Sequence, residues 1–257
     1  MSSNREKLIL KPGPVVETID RLVARIFERF GDCGLYRVCV QLLGIAKKDT
    51  RRAVRIARAY IWLRALVFVT LVAGIALLGW VLMLIDFTKT AADSVSSAVQ
   101  GLEAAGNLTV LTGAAIFSLL KLEERLKRRR ALAALHELRS IVHVIDMHQL
   151  TKDPSKFTVR ANTPSSPPLL LSEFQMTRYL DYCSEMLSLT SKVAVLFGQS
   201  LDDRAVGEVV SDIERVGAGL SQKIWQKIII LQELRKTADT AAAASPDRDR
   251  AAIPVTG

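Results

Sequence analysis

The chain of 257 residues is 49% hydrophobic but only 6% aromatic, so its apolar content is mainly Leu, Ile, Val and Ala, which favours helices over strands. Its three cysteines are odd in number and have no CxxC spacing, which argues against a disulfide framework or a zinc site. Its net charge of +9 raises the question of nucleic-acid binding, which the position of that charge argues against.

The N-terminal part, residues 1–64, is predicted to consist of amphipathic and basic helices on the cytoplasmic side of a membrane. Apolar residues recur at helical spacing along residues 15–30, and Gly31 marks the end of that helix. Residues 35–46 favour a second, short helix. Residues 50–64 are basic and are predicted to continue as a helix into the first apolar segment.

That segment, residues 65–85, contains 21 consecutive positions without a charged side chain. A helix of this length reaches about 31 Å, the thickness of the hydrocarbon core of a bilayer. Trp62 and Trp80 lie near its two ends, where aromatic side chains are typical of membrane interfaces. Because a buried helix of a soluble protein is rarely this long and apolar all round, we predict a transmembrane span.

A second charge-free segment, residues 104–120, has only 17 residues and several polar or small side chains, so alone it would be marginal as a span. The strongly basic residues 121–130 directly after it favour a second span, because Lys and Arg stay on the cytoplasmic side of short-loop membrane proteins. The slightly acidic residues 86–103 then form the outer loop. The alternative is a re-entrant or amphipathic second segment.

Two basic blocks account for the whole charge excess. Residues 47–64 carry seven Lys or Arg and one Asp, and residues 121–130 carry six Lys or Arg and two Glu. Together they hold more positive charge than the chain as a whole, and each directly flanks an apolar segment. A membrane explains this distribution better than nucleic acid, so we predict a lipid bilayer and no nucleic acid as a partner.

Small and hydroxylated side chains lie inside the second apolar segment. Gly106 and Gly113 are seven residues apart on one helix face, and Thr112 is beside them, so helices can pack closely here. The pattern fits packing within the hairpin, with a self-association surface or a pore lining that includes Asn107 and Thr109 as the alternatives. Neither segment contains a charged side chain, which argues against a proton relay or an ion-coupled transporter.

Residues 121–149 are predicted to form one long helix after the second span. Apolar residues recur there at alternating spacings of four and three, which is typical of helical bundles and coiled coils. Residues 151–171 break the pattern with four prolines and indicate a loop. Ser172 and Gln175 then resemble a capping box, the signature of a helix start.

Two more amphipathic helices follow. The four-and-three spacing continues over residues 176–197, and Asp202 or Asp203 is predicted to cap a last helix that carries apolar residues over 206–231. Two glycines in the last helix are predicted to bend it. Residues 237–257 are predicted to be a disordered tail.

The overall prediction is an all-α fold, in which a two-helix transmembrane hairpin over residues 65–120 precedes a cytoplasmic antiparallel helical bundle over residues 121–236. The helix over residues 15–30 could supply a further member of the bundle. The seams that fill the bundle could equally bind a partner or a second copy of the chain. The candidate interaction residues on these seams are Leu135, Leu138, Val142, Ile145, Leu180 and Leu187.

The most enzyme-like string of the chain is HVIDMH, which ends at His148. On a helix His143 and Asp146 are neighbours that could share a ligand, whereas His148 lies about 140° away and could join them only if the helix ends. His136 and His143 point away from the apolar seam. We interpret the string as polar-face residues at a helix end, with a hydrogen-bond network or a metal or acid/base site as alternatives. No catalytic residue and no cofactor is predicted, because the chain lacks HExxH, GxSxG and a glycine-rich phosphate loop.

The segments ALHELRSIVHVIDMHQLTKDP (residues 134–154) and SEFQMTRYLDYCSEMLSLTSK (residues 172–192) resemble a group of bacterial two-span membrane proteins of uncharacterised activity. The architecture is also similar to that of SLATT-type two-span proteins, in which a hairpin precedes a cytoplasmic helix and pore formation is suspected. The resemblance implies a membrane location but no activity, cofactor or site residue.

We therefore expect a non-enzymatic integral membrane protein of the bacterial inner membrane, with both termini in the cytoplasm. Its helical bundle is expected to bind a second copy or a membrane or cytoplasmic protein. A pore-forming or channel-like membrane effector is the alternative. A metal-dependent enzyme at His143, Asp146 and His148 is the third hypothesis.

Overall fold

A computed structural model describes most of the chain, namely residues 9–57, 60–83, 91–157, 165 and 171–243. Within these residues all regular structure is helical, in agreement with the predicted all-α class. The α-helices are α1 (Pro12–Phe30), α2 (Gly34–Ala57), α3 (Ile61–Met83), α4 (Ala91–Leu150), α5 (Glu173–Ser200) and α6 (Arg204–Ala243), with a 3-10 turn at Pro154–Phe157.

The chain divides into two compact units. Unit 1 contains Met1–Ala53 and Ala133–Gly257, and unit 2 contains Val54–Leu132. The division falls within α2 and within α4.

Helix α1 confirms the predicted amphipathic helix at the N-terminus. It begins at Pro12, whose fixed φ suits the first turn of a helix. It ends where Gly31 adopts a φ of +64° and donates its backbone N–H to the carbonyl of Phe27 at 2.8 Å. One face of the helix is buried through Val15, Ile19, Leu22 and Ile26.

The predicted division of residues 35–64 into two helices is wrong. A single helix, α2, runs from Gly34 to Ala57. The polar residues at its centre are accommodated because Asp49 pairs with Arg52 at 3.2 Å, one turn further along. The predicted continuation into the apolar segment also differs, since Tyr60 is not helical and α3 starts at Ile61. Residues 58 and 59 lie outside the described part of the chain.

Helix α4 merges two elements that the sequence pattern separates. It is continuous over 60 residues, so the predicted second span and the predicted helix 121–149 belong to one helix. The predicted outer loop is wrong for residues 91–103, which are helical. That stretch is rich in Ala and Ser and contains no proline, so nothing in it prevents a helix from forming. The helix ends at Leu150, shortly before Pro154, in agreement with the predicted break.

Both predicted helix starts in the C-terminal half are confirmed by side-chain hydrogen bonds. Ser172 Oγ accepts from the backbone N–H of Gln175 at 3.2 Å, and Gln175 Oε1 accepts from the N–H of Ser172 at 2.9 Å, which is a complete capping box. At the start of α6 the cap is Asp203, which accepts from the N–H groups of Ala205 at 3.0 Å and Val206 at 3.2 Å.

The predicted disordered tail begins too early. Residues 237–243 continue α6, because alanine is the best helix former and the two threonines here satisfy their hydroxyls within the helix. Thr237 Oγ1 donates to the carbonyl of Glu233 at 2.8 Å, and Thr240 Oγ1 donates to that of Lys236 at 2.7 Å. The rest of the predicted tail, residues 244–257, lies outside the described part, as do residues 158–164 and 166–170 of the predicted loop.

The apolar core of unit 1 lies where α5 packs against α6 and α1 packs against α5. Helix α4 joins them through an ion pair of 3.3 Å between Arg139 and Asp212 of α6. Gly217 lies within the unbroken helix α6, at a point where α6 packs closely against α5. A Cβ at Gly217 would lie 3.0 Å from Ser191 Oγ of α5, whereas a Cβ at Gly219 would meet no atom within 4 Å.

This difference between the two glycines gives a matched stability test. Alanine is about 1 kcal/mol more favourable than glycine in a helix, so Gly219→Ala should raise the free energy of unfolding by up to that amount. Gly217→Ala should give no gain or a loss, because its methyl group meets Ser191 Oγ, which is held by a hydrogen bond of 3.1 Å to the carbonyl of Leu187. Urea unfolding of the full chain in detergent, followed by circular dichroism, measures both. Equal gains from the two variants would contradict the close packing of α5 and α6.

Candidate functional site

The histidines of the HVIDMH string lie in different surroundings. His143 is exposed on α4, as is His136 on the same face of the helix, seven residues earlier. His148 instead packs against the start of α2, where a Cβ at Gly34 would lie 2.6 Å from His148 Cε1. Its Nδ1 lies 3.3 Å from the hydroxyl of Tyr179 on α5. Among the residues that the structure describes, no three His, Cys, Asp or Glu side chains are grouped so that they could hold a metal ion.

Burial and the nearby Lys152 lower the pKa of His148, so its imidazole is neutral at pH 7. Burial also raises the pKa of the Tyr179 phenol, whose ring lies 5.1 Å from Lys152 Nζ. The contact between His148 and Tyr179 is therefore a hydrogen bond between two neutral groups. It ties the end of α4 to α5.

Asp146 belongs to a second tie, between α4 and α6. Gln149 is buried, and its Nε2 donates to Asp146 Oδ1 at 2.6 Å. Lys227 Nζ of α6 donates to the backbone carbonyl of Gln149 at 2.9 Å and to its Oε1 at 2.7 Å. A cation is favourable at this position because the last carbonyls of a helix carry partial negative charge. Asp146 and His148 thus enter hydrogen-bond networks that hold the end of α4, and exposed His143 does not.

All six candidate interaction residues are buried inside unit 1. Leu135, Leu138, Val142, Ile145, Leu180 and Leu187 have exposures of 0 or 1%. In this structure they fill the protein's own core and do not offer a surface to a partner.

An exposed apolar face lies instead on α6. Trp225, Ile229 and Ile230 are 57%, 50% and 47% exposed, while the neighbouring Ile224 and Ile228 are buried. The run IWQKIIIL is apolar on both sides of the helix, so periodicity alone did not separate the exposed face from the core face.

In unit 2, the glycine at the close contact between the two apolar helices is Gly74 of α3. A Cβ at Gly74 would lie 2.6 Å from Thr112 Cγ2, so α3 and α4 approach closely there. Among the described residues, no atom lies within 4 Å of the position that a Cβ would take at Gly106 or Gly113. A cavity of about 260 Å³ adjoins the contact and is lined by Leu71, Gly74, Ile75, Leu78, Leu108, Thr109, Thr112, Gly113 and Ile116.

A buried carboxylate on α2 was not singled out by any sequence motif. Asp49 is fully buried, and no described residue forms a hydrogen bond with its Oδ2. Arg52 links it to Glu137 of α4, with Arg52 Nη1 at 3.2 Å from Asp49 Oδ1 and at 3.3 Å from Glu137 Oε1. Burial raises the pKa of Asp49 to about 6, although Arg52 opposes this.

A groove of about 700 Å³ between α1 and α5 contains three arginines. Arg25 pairs with Glu185 through both guanidinium nitrogens, and Arg178 lies 3.2 Å from Asp181. Acidic partners thus compensate two of the three arginines. The third, Arg29, donates from Nε to the Tyr182 hydroxyl at 3.3 Å and lies 5.5 Å from the centre of the Phe174 ring.

Comparisons of the chain with protein-family models, with curated proteins and with solved structures find no significant match.

The buried carboxylate predicts a pH-dependent stability. Because the pKa of Asp49 is higher in the folded protein than the ordinary value of 3.8, the folded state gains stability from protonated Asp49 at low pH and loses it as the pH rises through about 6. Asp49→Asn removes the charge, so at pH 7.5 it should raise the free energy of unfolding by about 2–3 kcal/mol. At pH 4 the gain should be close to zero. Urea titrations across this pH range measure the difference.

Asp20→Asn is the matched control, since Asp20 is an exposed carboxylate that lies 3.6 Å from Lys47. Its effect on stability should be small at every pH. A gain from Asp49→Asn that does not vary with pH would argue against a buried, titrating carboxylate.

The close contact in the hairpin gives a second paired test. Gly74→Leu should destabilise the hairpin by about 1–3 kcal/mol, because the new side chain overlaps Thr112. Gly79→Leu adds the same side chain where no atom lies within 4 Å and should be nearly neutral. The melting temperatures of the two variants in mild detergent distinguish these outcomes. Equal melting temperatures would show that Gly74 is not a packing contact.

Proposed function

We propose that this chain is a non-enzymatic integral membrane protein, in which a two-span hairpin anchors a helical bundle that binds a second copy or a protein partner. The observation that carries this proposal is the exposure of the apolar helices of unit 2. The window Ile61–Trp80 has a mean hydropathy of 2.3, yet only 6% of it is buried by the protein.

The second apolar helix has the same character. The apolar window within Val99–Leu150 has a mean hydropathy of 1.4 and is 0% buried. A core helix of a soluble protein of this composition would be largely covered by other side chains, whereas Phe68, Ile75 and Phe117 are all more than half exposed. Exposed apolar surface of this extent marks a site that lipid or another protein covers. Helix α3, with 23 residues, reaches about 35 Å, which matches a bilayer.

The basic blocks support an orientation. Residues 47–64 precede the first apolar helix and residues 121–130 follow the second apolar stretch, so both flanks belong on the cytoplasmic side. We infer that unit 1 and both chain termini lie in the cytoplasm, and that the membrane is the inner membrane of a bacterium.

The exposed face of α6 is the part of the bundle best suited to a protein partner. Trp225 and Ile229 are one helical turn apart, and Ile230 extends the same apolar surface. Tryptophan is enriched among the residues that contribute most to protein–protein binding. This face replaces the buried seam residues as the proposed contact surface.

Pore formation remains the alternative function. The hairpin cavity is lined mainly by Leu and Ile, and Thr109 Oγ1 donates to the carbonyl of Ala105 in its own helix at 2.8 Å. One hairpin therefore offers little polar lining, and a pore would have to be built by several copies.

Membrane fractionation and site-specific crosslinking together test the proposal. The full chain should stay with membranes after alkaline carbonate extraction, because both apolar helices are inserted. A photo-crosslinking amino acid in place of Trp225 should give a defined adduct with a second copy or one partner protein. The same probe in place of His136, which is exposed on the polar face of α4, should give none.

The two measurements distinguish failure of the membrane anchor from failure of the contact surface. A chain that carbonate extracts is not an integral membrane protein. A chain that stays in the membrane but gives no adduct at position 225 keeps its anchor and lacks the proposed contact surface. Dye release from vesicles that contain the purified chain would favour the pore.

A further inference from the structure

A cluster of aromatic and charged side chains surrounds Tyr60, at the charged ends of the two apolar helices of unit 2. The backbone N–H of Tyr60 donates to Glu123 Oε1 at 3.3 Å, just before α3 begins. Lys127 Nζ lies 2.7 Å from the same Glu123 oxygen and 5.8 Å from the Tyr60 ring. Arg130 donates from Nη1 to the Tyr60 hydroxyl at 2.6 Å, and its guanidinium lies 5.3 Å from the ring centre.

The charges of this cluster are not compensated equally. Lys127 is neutralised by Glu123, and both side chains are mostly covered. Lys121 lies 2.8 Å from Glu124. Arg130 is exposed, and its hydrogen-bond partner among the described residues is a neutral phenol, so its positive charge has no carboxylate beside it. The guanidinium is held in one place by the hydroxyl and the ring of Tyr60, with donor groups left for another acceptor.

The depth of the cluster matches that of lipid headgroups. Tyr60 precedes the charge-free residues 65–85 by five positions, which is about 7 Å along a helix axis. The headgroup region of a bilayer occupies roughly 5–8 Å on each side of the hydrocarbon core. Arg130 follows the charge-free residues 104–120 by ten positions, about 15 Å along α4. Because helical side chains lean towards the N-terminus of their helix, its guanidinium reaches back to the level of the Tyr60 hydroxyl.

We propose that Arg130, positioned by Tyr60, binds the phosphate of an anionic phospholipid headgroup at the cytoplasmic ends of the two apolar helices. This inference rests on the proposed membrane insertion. The planar guanidinium binds a phosphate through two parallel hydrogen bonds, which lysine does not reproduce. An anionic lipid is preferred over a zwitterionic one, because residues 121–130 carry six basic and two acidic side chains and leave local positive charge in excess.

Lipid binding by the purified full chain tests this site. Native mass spectrometry in detergent micelles with added phosphatidylglycerol or phosphatidylcholine counts the lipids that remain bound. The wild-type chain should retain phosphatidylglycerol in preference to phosphatidylcholine. Arg130→Gln should lower the affinity for phosphatidylglycerol about fivefold, as expected for the loss of one cation near a lipid surface. Tyr60→Phe keeps the ring but removes the hydroxyl, so it should also weaken binding while every charge remains.

Arg235→Gln is the matched control, because Arg235 is an exposed arginine of α6 in unit 1 that lies 3.9 Å from Asp239. It should leave phosphatidylglycerol binding unchanged. Circular dichroism of each variant shows whether the helices are retained, and Tyr60→Phe tests the site if Arg130→Gln unfolds.

Three results would overturn the site. They are equal binding of the two lipids, equal losses from Arg130→Gln and Arg235→Gln, and displacement of phosphatidylglycerol by millimolar inorganic phosphate, which would identify a site for free phosphate. Carbonate extraction of the same preparations separates this failure from that of the membrane proposal. A chain that resists extraction but lacks lipid preference is an integral membrane protein without the headgroup site.

Discussion

The solvation of α3 is the constraint on which the rest of the structure depends. This helix is apolar over its whole circumference, and the protein covers only 6% of its apolar window. Exposed apolar surface of this extent is typical of helices that lipid or another protein covers. The two basic blocks flank the apolar segments in the sequence. Unit 1, in contrast, buries most of the apolar residues of its helices in a core of its own, with the exposed face of α6 at Trp225, Ile229 and Ile230 as an exception.

Polar contacts in unit 1 hold the end of α4 against α5 and α6. Lys227 satisfies the carbonyl and side chain of buried Gln149, and His148 bonds the phenol of Tyr179. Each of these groups would be costly to bury without its partner, so the contacts favour one arrangement of the helices over others. Asp49 differs from these groups, since among the described residues its Oδ2, like Arg178 Nε, is buried without a hydrogen-bond partner. Its burial lowers stability at neutral pH, and the described residues offer no compensating contact for that oxygen.

Local chemistry was predictable from the sequence, and tertiary placement was not. The capping box at Ser172, the cap at Asp203 and the glycine end of α1 depend on neighbours a few residues away, and all three are confirmed. The separation of α2 into two helices and the early tail were wrong, because polar or small residues do not end a helix unless a breaker or a competing contact is present. The role of His148 depends on Gly34, more than a hundred residues away, and the burial of Asp49 depends on the contact of α2 with α4. No local pattern reports such contacts.

The contact between Gly74 and Thr112 fixes how far α3 is shifted along α4. A threonine side chain seated over a glycine cannot slide past the bulkier residues on either side, so the two helices of unit 2 have one vertical alignment. A slip of one helical turn would move Tyr60 about 5.4 Å away from Glu123 and Arg130. The ring of Tyr60, just before α3, and the cations of α4 therefore lie at the same level when the methyl group of Thr112 packs over Gly74. In a bilayer this contact would fix the position of Tyr60 relative to Glu123 and Arg130 before any lipid is bound.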